Sequence, residues 1–102
     1  MLNFKEIAQS IKPSKNLSIK VPKNIKFIYF LILYDNGEKF DAKILRRSDV
    51  DNRIITFSYF FSTSYNFSEL IVLKNGMITE FIAAMNGNEI SQGAELYVLC
   101  SE

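Results

Sequence analysis

The stretch FIYFLILYDNG, from Phe27 to Gly37, places eight apolar residues directly before an Asp-Asn-Gly sequence. The apolar run is far shorter than the roughly 20 residues that a membrane-spanning helix needs, and Lys26 and Asp35 close it at both ends. Asn36-Gly37 is the strongest short-range signal for a β-hairpin. The stretch therefore predicts a strand, a two-residue turn and a returning strand, and it is not predicted to cross a membrane.

A two-residue turn also predicts the register of this hairpin. Tyr34 pairs with Lys39, and pairing continues to Tyr29 opposite Ile44. One face of the hairpin is apolar on both strands, and we predict that it is the core face: Phe27, Tyr29, Leu31, Leu33, Phe40, Ala42 and Ile44. The other face of the first strand is also apolar, so this strand is predicted to be central, with its second face covered. That second face consists of Ile28, Phe30, Ile32 and Tyr34.

The segments around the hairpin complete a predicted α+β fold. Apolar residues at helical spacing predict an amphipathic helix over residues 2–12 that Pro13 ends; they are Phe4, Ile7, Ala8 and Ile11. Residues 13–24 are predicted to be a basic linker or an edge strand. Residues 25–100 are predicted to form an antiparallel sheet with strands at 53–62 and 94–100 and a second hairpin around Asn75-Gly76. In that hairpin Leu73 is expected to pair with Ile78, Val72 with Thr79, and Ile71 with Glu80.

We therefore predict one domain over residues 1–102 with a predominantly antiparallel sheet of five to six strands. The sheet is built from Asn-Gly hairpins, and the N-terminal helix packs on one of its faces. A small half-barrel or β-sandwich is the alternative.

Catalytic and metal-binding equipment is sparse in the sequence. The 102 residues contain no histidine and one cysteine, Cys100, and the four glycines stand singly, so no glycine-rich phosphate loop exists. Asp49 and Asp51 form a D-x-D pattern, but arginines flank it, and a solvated loop is favoured over a metal site. We predict that the protein is not an enzyme and uses no cofactor. One cysteine and no visible secretory signal predict a cytoplasmic protein.

Charge is unevenly distributed along the chain. Residues 1–26 carry a net charge of +5 and residues 27–102 carry −4. A nucleic-acid-binding module is therefore one alternative, with phosphate contacts from Lys12, Lys15, Lys20, Lys23 and Lys26. The acidic balance of the rest of the chain disfavours it.

Six aromatic residues lie between positions 57 and 67, namely Phe57, Tyr59, Phe60, Phe61, Tyr65 and Phe67. Most of them are expected to fill the core, since a small domain has few other large side chains. Any ring that stays exposed is best used in contact with a protein partner.

These observations favour a small cytoplasmic protein that binds and occludes a macromolecular partner. Ile, Lys, Asn, Phe and Tyr make up 45 of the 102 residues, a bias typical of small accessory bacterial or phage genes. An immunity protein or antitoxin that neutralises a cognate bacterial toxin is the leading hypothesis; an inhibitor of a host defence system is an alternative, and a homodimer is a further option. Predicted contact residues are Glu38, Asp41, Asp49, Asp51, Glu80, Tyr59 and Tyr65.

Overall fold

Two antiparallel sheets make up the fold. The computed structural model describes residues 3–34, 39–62 and 65–101, and the side chains of residues 39 and 59–62 are not described. Within these residues there are nine strands and one three-residue 3-10 turn, Arg47–Asp49. The strands are β1 (Phe4–Ile11), β2 (Ile19–Lys20), β3 (Phe27–Tyr34), β4 (Lys39–Arg46), β5 (Ile54–Ser62), β6 (Tyr65–Lys74), β7 (Met77–Met85), β8 (Asn88–Ile90) and β9 (Ala94–Ser101).

The strand order separates the chain into sheet A and sheet B. Sheet A has the order β1-β9-β3-β4, so β3 and β9 are central. Sheet B has the order β2-β7-β6-β5, and the short β8 also pairs with β7. Asn75 and Gly76 have φ angles of 52° and 74°, which a type I′ turn between β6 and β7 requires.

The core lies between the two sheets. Sheet A contributes alternate residues of its central strands, and their side chains are almost fully buried: Ile28, Phe30, Ile32, Tyr34, Leu96, Val98 and Cys100. Sheet B contributes Ile55, Phe57, Phe67, Ile71, Leu73, Ile78, Phe81 and Ala83. Sheet B therefore covers the face of β3 whose cover the sequence left unassigned.

The predicted N-terminal helix, and with it the α+β class, is wrong. Residues Phe4–Ile11 form an edge strand that pairs with β9, and the described residues contain no α-helix. The pairing shifts register between Glu6 and Ala8 and again between Ala8 and Ile11, and Ser10 has a φ of 51°. Each bulge adds a residue to β1. With these extra residues, Ile7, Ala8 and Ile11 all pack against the core at intervals of three and four, the spacing that was read as a helix, while Phe4 lies on the opposite face of the sheet. Two antiparallel sheets are closer to the predicted alternative, a small half-barrel or β-sandwich.

The first hairpin has the predicted register but the opposite core face. Tyr34 pairs with Lys39 and Tyr29 with Ile44, as predicted, while the turn itself lies outside the described residues. Phe40 and Ile44 were assigned to the core, yet their side chains are 59% and 54% exposed. Because β3 is apolar on both faces, either face could have been covered. Sheet B covers the second face, for which the sequence predicted a cover without identifying it.

The second hairpin, unlike the first, departs from its predicted register. Leu73 pairs with Ile78 as expected, but Val72 pairs with Glu80 instead of Thr79. The irregularity between Val72 and Leu73 inserts one residue into β7, and this insertion displaces all later pairs by one residue.

Candidate functional site

The outer face of sheet A is the surface that points away from sheet B. Cross-strand partners share a face, and the register places ten apolar residues of four strands on this one. The outer face of sheet A consists of Phe4, Phe27, Tyr29, Leu31, Leu33, Phe40, Ala42, Ile44, Tyr97 and Leu99. All ten are exposed or half-buried. The described part of the protein therefore presents a continuous apolar surface to solvent.

Aromatic rings occupy the side of this face near β1. The rings of Phe4 and Tyr29 lie with their centroids 6.0 Å apart at an interplanar angle of 57°, an arrangement typical of aromatic packing. The Tyr97 hydroxyl lies 3.0 Å from the Ser10 hydroxyl. Both tyrosines therefore contact a residue of β1.

Charged residues border the outer face of sheet A at three places. Arg46 lies on β4 opposite Phe27, Glu6 lies on β1 opposite Leu99, and Glu95 lies on β9 opposite Leu33. An apolar centre with a charged border is the usual composition of a protein–protein interface.

The edge strands of sheet A are protected against the addition of another strand. On β4, the backbone N–H of Ala42 donates to Asp41 Oδ1 at 2.9 Å, so this outward-pointing donor is already bound. Lys43 Nζ donates to the backbone oxygen of Thr56 on β5 at 2.6 Å and lies 5.1 Å from the centroid of the Phe57 ring. On the other side β1 carries its two bulges. Bulges and charged side chains are common means of blocking strand edges, so both edges of sheet A are protected while its outer face is exposed.

A carboxyl pair with a tyrosine lies inside the sandwich. Glu69 on β6 is only 3% exposed, and its Oε2 accepts a hydrogen bond from the Tyr34 hydroxyl on β3. Glu69 Oε1 and Asp41 Oδ2 are both buried without a hydrogen-bond partner among the described residues. Both atoms are acceptors when ionised. A proton on the Glu69 carboxyl would supply a donor here, and interaction with the Asp41 side chain is one of the causes that raise the pKa of Glu69.

The electrostatics of this pair favour the protonated form. The pKa of the Glu69 carboxyl is raised to about 7, chiefly because burial penalises its charge, and the negative charge of Asp41 adds to the rise. The hydrogen bond from Tyr34 acts in the opposite direction. Burial also raises the pKa of the Tyr34 hydroxyl, so this group remains a hydrogen-bond donor. The ring centroids of Phe67 and Tyr34 lie 4.2 Å apart, so the two rings pack against each other. We interpret the pair as a determinant of stability.

Arg47 joins three loops below a polar surface pocket. Its Nε donates to the backbone oxygen of Pro22 at 2.9 Å, and its Nη1 donates to Asp51 Oδ1 at 2.7 Å. A Cβ at Gly76 would lie 3.6 Å from Nη2. The pocket is lined by Lys23, Ile25, Arg47, Ser48, Asp51, Asn52, Asn75 and Gly76. Because Asp51 already neutralises the buried guanidinium, this arrangement is structural.

Comparison with protein-family models, curated proteins and solved structures gave no match. Among the described residues no group of three or more His, Cys, Asp or Glu side chains could hold a metal ion. Those residues also include no helix long and apolar enough to cross a membrane.

The predicted contact residues lie on different surfaces. Asp49 and Asp51 share the turn after β4, and Asp51 pairs with Arg47. Asp41 faces the sandwich interior, while Glu80 pairs with Val72 on the outer face of sheet B. Tyr65 is 48% exposed at the start of β6. Glu38 and the side chain of Tyr59 lie outside the described residues.

Part of the outer face of sheet A was identified from the sequence but was interpreted differently. Its β3 and β4 residues were recognised as one apolar face and assigned to the core. The residues that sequence reasoning missed are Phe4, Tyr97 and Leu99, since β1 was read as a helix and no partner was assigned to the last strand. The signal that could have found the exposed face is the pair Asp41 and Lys43. Polar residues at alternate positions of an edge strand can bind backbone groups at the sheet edge as well as face water.

Proposed function

We propose that this protein acts by binding, without catalysis, and that the outer face of sheet A docks onto a protein partner and occludes it. The observation that carries the proposal is the exposure of this apolar face. Phe40 and Ile44 are more than half exposed, although they belong to an otherwise well-packed sandwich. Exposed apolar patches of this kind mark interaction sites in folded proteins.

The size of the face supports a protein as the partner. Four strands at about 4.8 Å spacing and four rows of side chains at about 6.8 Å give roughly 500 Å² in projection. A typical specific interface covers about 800 Å² on each partner. The face therefore supplies the central part of such an interface, and the charged border supplies its rim.

Docking through the face also fits the protected edges. A partner that added a strand to β4 would have to displace the Asp41 hydrogen bond at Ala42 and the Lys43 hydrogen bond to Thr56. Binding against the flat face leaves both bonds intact. The partner is expected to present a complementary apolar patch, with Tyr29 and Tyr97 as rigid anchors on this side.

Within this proposal, neutralisation of a toxin is the specific form that the sequence favours. The proposal assigns the protein to the cytoplasm, because a single cysteine has no disulfide partner within the chain. Co-expression with the product of the adjacent gene tests this form directly. Restored growth, together with a stable complex of the two purified proteins, would support it; a toxic neighbour that the protein neither binds nor relieves would contradict it.

The face itself is tested with matched variants. Ile44→Lys places a charge on the outer face of sheet A, and Ile54→Lys places the same charge on the outer face of sheet B, where Ile54 is 60% exposed. A tagged wild-type protein should recover its partner in stoichiometric amounts from native cells. The purified partner should then bind wild type and Ile54→Lys equally and bind Ile44→Lys at least about tenfold more weakly. Equal binding by Ile44→Lys would refute the assignment of the surface.

A further inference from the structure

The edge strand β4 has few contacts with the interior of the sandwich. It pairs with β3 alone in sheet A. Among its described side chains, only Leu45 packs against the core, while Asp41 and Lys43 bring charged groups to the inward side. Lys43 holds the strand to β5 through its hydrogen bond to the Thr56 backbone oxygen. Little packing therefore opposes a local opening of β4 at the end that carries Asp41.

A buried carboxyl group lies beneath this end of β4. Glu69 belongs to β6, which is central in sheet B, and it accepts a hydrogen bond from Tyr34 on β3, which is central in sheet A. Asp41 interacts with Glu69 from β4. Glu69 Oε1 and Asp41 Oδ2 are buried and lack a hydrogen-bond partner among the described residues. Of these three residues, only Asp41 lies on an edge strand, so β4 is the element that can move to separate the two carboxyl groups.

The titratable and charged groups that face Glu69 come from β3 and β4. They are the Tyr34 hydroxyl, the Asp41 carboxyl and, one inward position further along β4, Lys43, whose ammonium group binds β5 instead. The side chain of Lys39, opposite Tyr34, lies outside the described residues. The facing residues of β5, β7 and β9 carry no charge; they are Phe57, Ala83, Ala94 and Leu96. An ionised Glu69 therefore meets the charge of Asp41 without a described cation to neutralise either carboxylate.

We propose that β4 is a pH-sensitive edge of the sandwich, which stays closed over Glu69 while that carboxyl is protonated and opens locally when it ionises. Opening moves the Asp41 carboxylate away from Glu69 and admits water to it. The same movement displaces Phe40, Ala42 and Ile44 from the outer face of sheet A. The consequence for binding rests on the proposed function, because these three residues belong to the surface that is assigned to the partner.

Proton binding determines the direction of the effect. In the closed form the pKa of Glu69 is raised from 4.5 to about 7, chiefly by burial. In the open form water reaches the carboxyl, and its pKa returns toward the ordinary value. The open form therefore loses the proton first, so rising pH favours opening above about pH 4.5, and the effect levels off above about pH 7. With these two pKa values, the equilibrium constant for opening rises about tenfold between pH 6 and pH 8.

Hydrogen exchange of the purified full chain tests the opening without any partner. The Ala42 N–H points outward to Asp41 Oδ1, so the amides of Asp41 and Lys43 donate to β3. Their exchange rates, each divided by the intrinsic rate at that pH, should rise about tenfold between pH 6 and pH 8. Low urea concentrations should leave these two rates unchanged and speed the exchange of the central strand β9, because local opening exposes little surface. Equal protection and equal urea dependence of β4 and β9 would overturn the proposal.

Matched variants test the assignment to Glu69. Glu69→Gln cannot ionise, so exchange from β4 should show no rise between pH 6 and pH 8 beyond the intrinsic rate. Glu80→Gln, on the outer face of sheet B, loses one carboxylate and should behave as wild type does. Asp41→Asn keeps an acceptor for the Ala42 N–H but removes the facing charge, so its rise should be smaller than that of wild type. A full rise in Glu69→Gln would overturn the proposal.

Binding to the partner that the tagged protein recovers separates this inference from the proposed function. The affinity of wild type, relative to that of Glu69→Gln, should fall by up to about tenfold between pH 6 and pH 8. A constant ratio of the two affinities would overturn the control of binding by β4. If β4 shows no local opening but Ile44→Lys still weakens binding, the opening is overturned and the proposed function stands. If β4 opens locally and Ile44→Lys binds as wild type does, the opening stands and the proposed function is overturned.

Discussion

Replacing Glu69 by Gln should stabilise the protein at neutral pH and remove a specific part of its pH dependence. Glu69 is buried in the sandwich, and its pKa is raised from 4.5 to about 7 in the folded state. In the unfolded chain its pKa returns to the ordinary value. Between these two values the folded state holds a proton that the unfolded state has released. Stability contributed by this group is therefore greatest below about pH 4.5 and falls as pH rises toward 7.

The magnitude follows from the difference between the two pKa values. One pKa unit corresponds to about 1.4 kcal/mol, so a shift of about 2.5 units is about 3 kcal/mol at most. Glutamine is neutral at every pH and has nearly the same shape. Its amide oxygen can accept from the Tyr34 hydroxyl, and its amide N–H can donate to Asp41 Oδ2, which lacks a partner in the described structure. At pH 8 the variant should therefore be more stable than wild type by about 2 to 3 kcal/mol.

Urea denaturation at a series of pH values between 4.5 and 8 measures this effect. The difference in free energy of unfolding between Glu69→Gln and wild type should be near zero at the acidic end. It should grow through the window up to pH 7 and level off above it. Other titrating groups contribute to both proteins and cancel in the difference. Glu80→Gln, on the outer face of sheet B, serves as the control for loss of one carboxylate.

Two results would refute this reasoning. Parallel pH profiles for wild type and Glu69→Gln would show that Glu69 does not carry a buried, pH-dependent charge. An equal gain from Glu80→Gln would show that the effect reflects net charge and not the buried pair. Asp41→Asn provides a further check, because Asp41 raises the pKa of Glu69; this variant should show a shallower fall in stability with pH than wild type.

Three further perturbations test the packing. Phe30→Ala should lower the free energy of unfolding, measured by urea denaturation, by about 3 to 5 kcal/mol because Phe30 is fully buried. Phe40→Ala should lower it by less than about 1 kcal/mol. The reverse order would support the core face predicted from sequence. Arg47→Met should lower the free energy of unfolding by about 1 to 3 kcal/mol, and by clearly more than Asp51→Ala. Of the two side chains only Arg47 is buried, and it also binds the backbone of Pro22. Equal losses for the two variants would contradict this. Cys100 is buried and burial raises its pKa, so the folded protein should react with a thiol reagent far more slowly than the urea-unfolded chain; equal rates would contradict its burial.

The parts of the fold that the sequence predicted are those that local chemistry determines. The register of β3 and β4 is the one predicted from the position of Asn36-Gly37 in the sequence. Phe57 and Phe67, two rings of the aromatic cluster that was predicted to fill the core, are also buried. Each of these inferences depends on residues close together in the chain.

The errors arose where the pattern has two structural solutions. Bulges in β1 place Ile7, Ala8 and Ile11 on the core side at intervals of three and four, and no residue type in the segment distinguishes this from a helix. The insertion in β7 moved the second hairpin out of its predicted register in the same way. The side of β3 that becomes the core is decided by sheet B, which is remote in sequence. Local pattern alone could not settle these points.

Seven of the ten residues on the outer face of sheet A were recognised in the sequence as one apolar face but were assigned to the core, and β4 explains why. Successive side chains of a strand point to opposite faces, so Asp41 and Lys43 cannot face the sandwich unless Phe40, Ala42 and Ile44 face outward. Asp41 binds the edge donor of β4, and Lys43 binds the edge of β5. These two contacts therefore require that Phe40, Ala42 and Ile44 face outward. The reverse orientation would bury these three residues and leave the edges of β4 and β5 unprotected. Smaller or polar residues at positions 40 and 44 would protect the edges equally well without exposing apolar surface. Large apolar side chains at both positions add nothing to the protection of the strand edges. A bound partner is the physical reason that we infer for them.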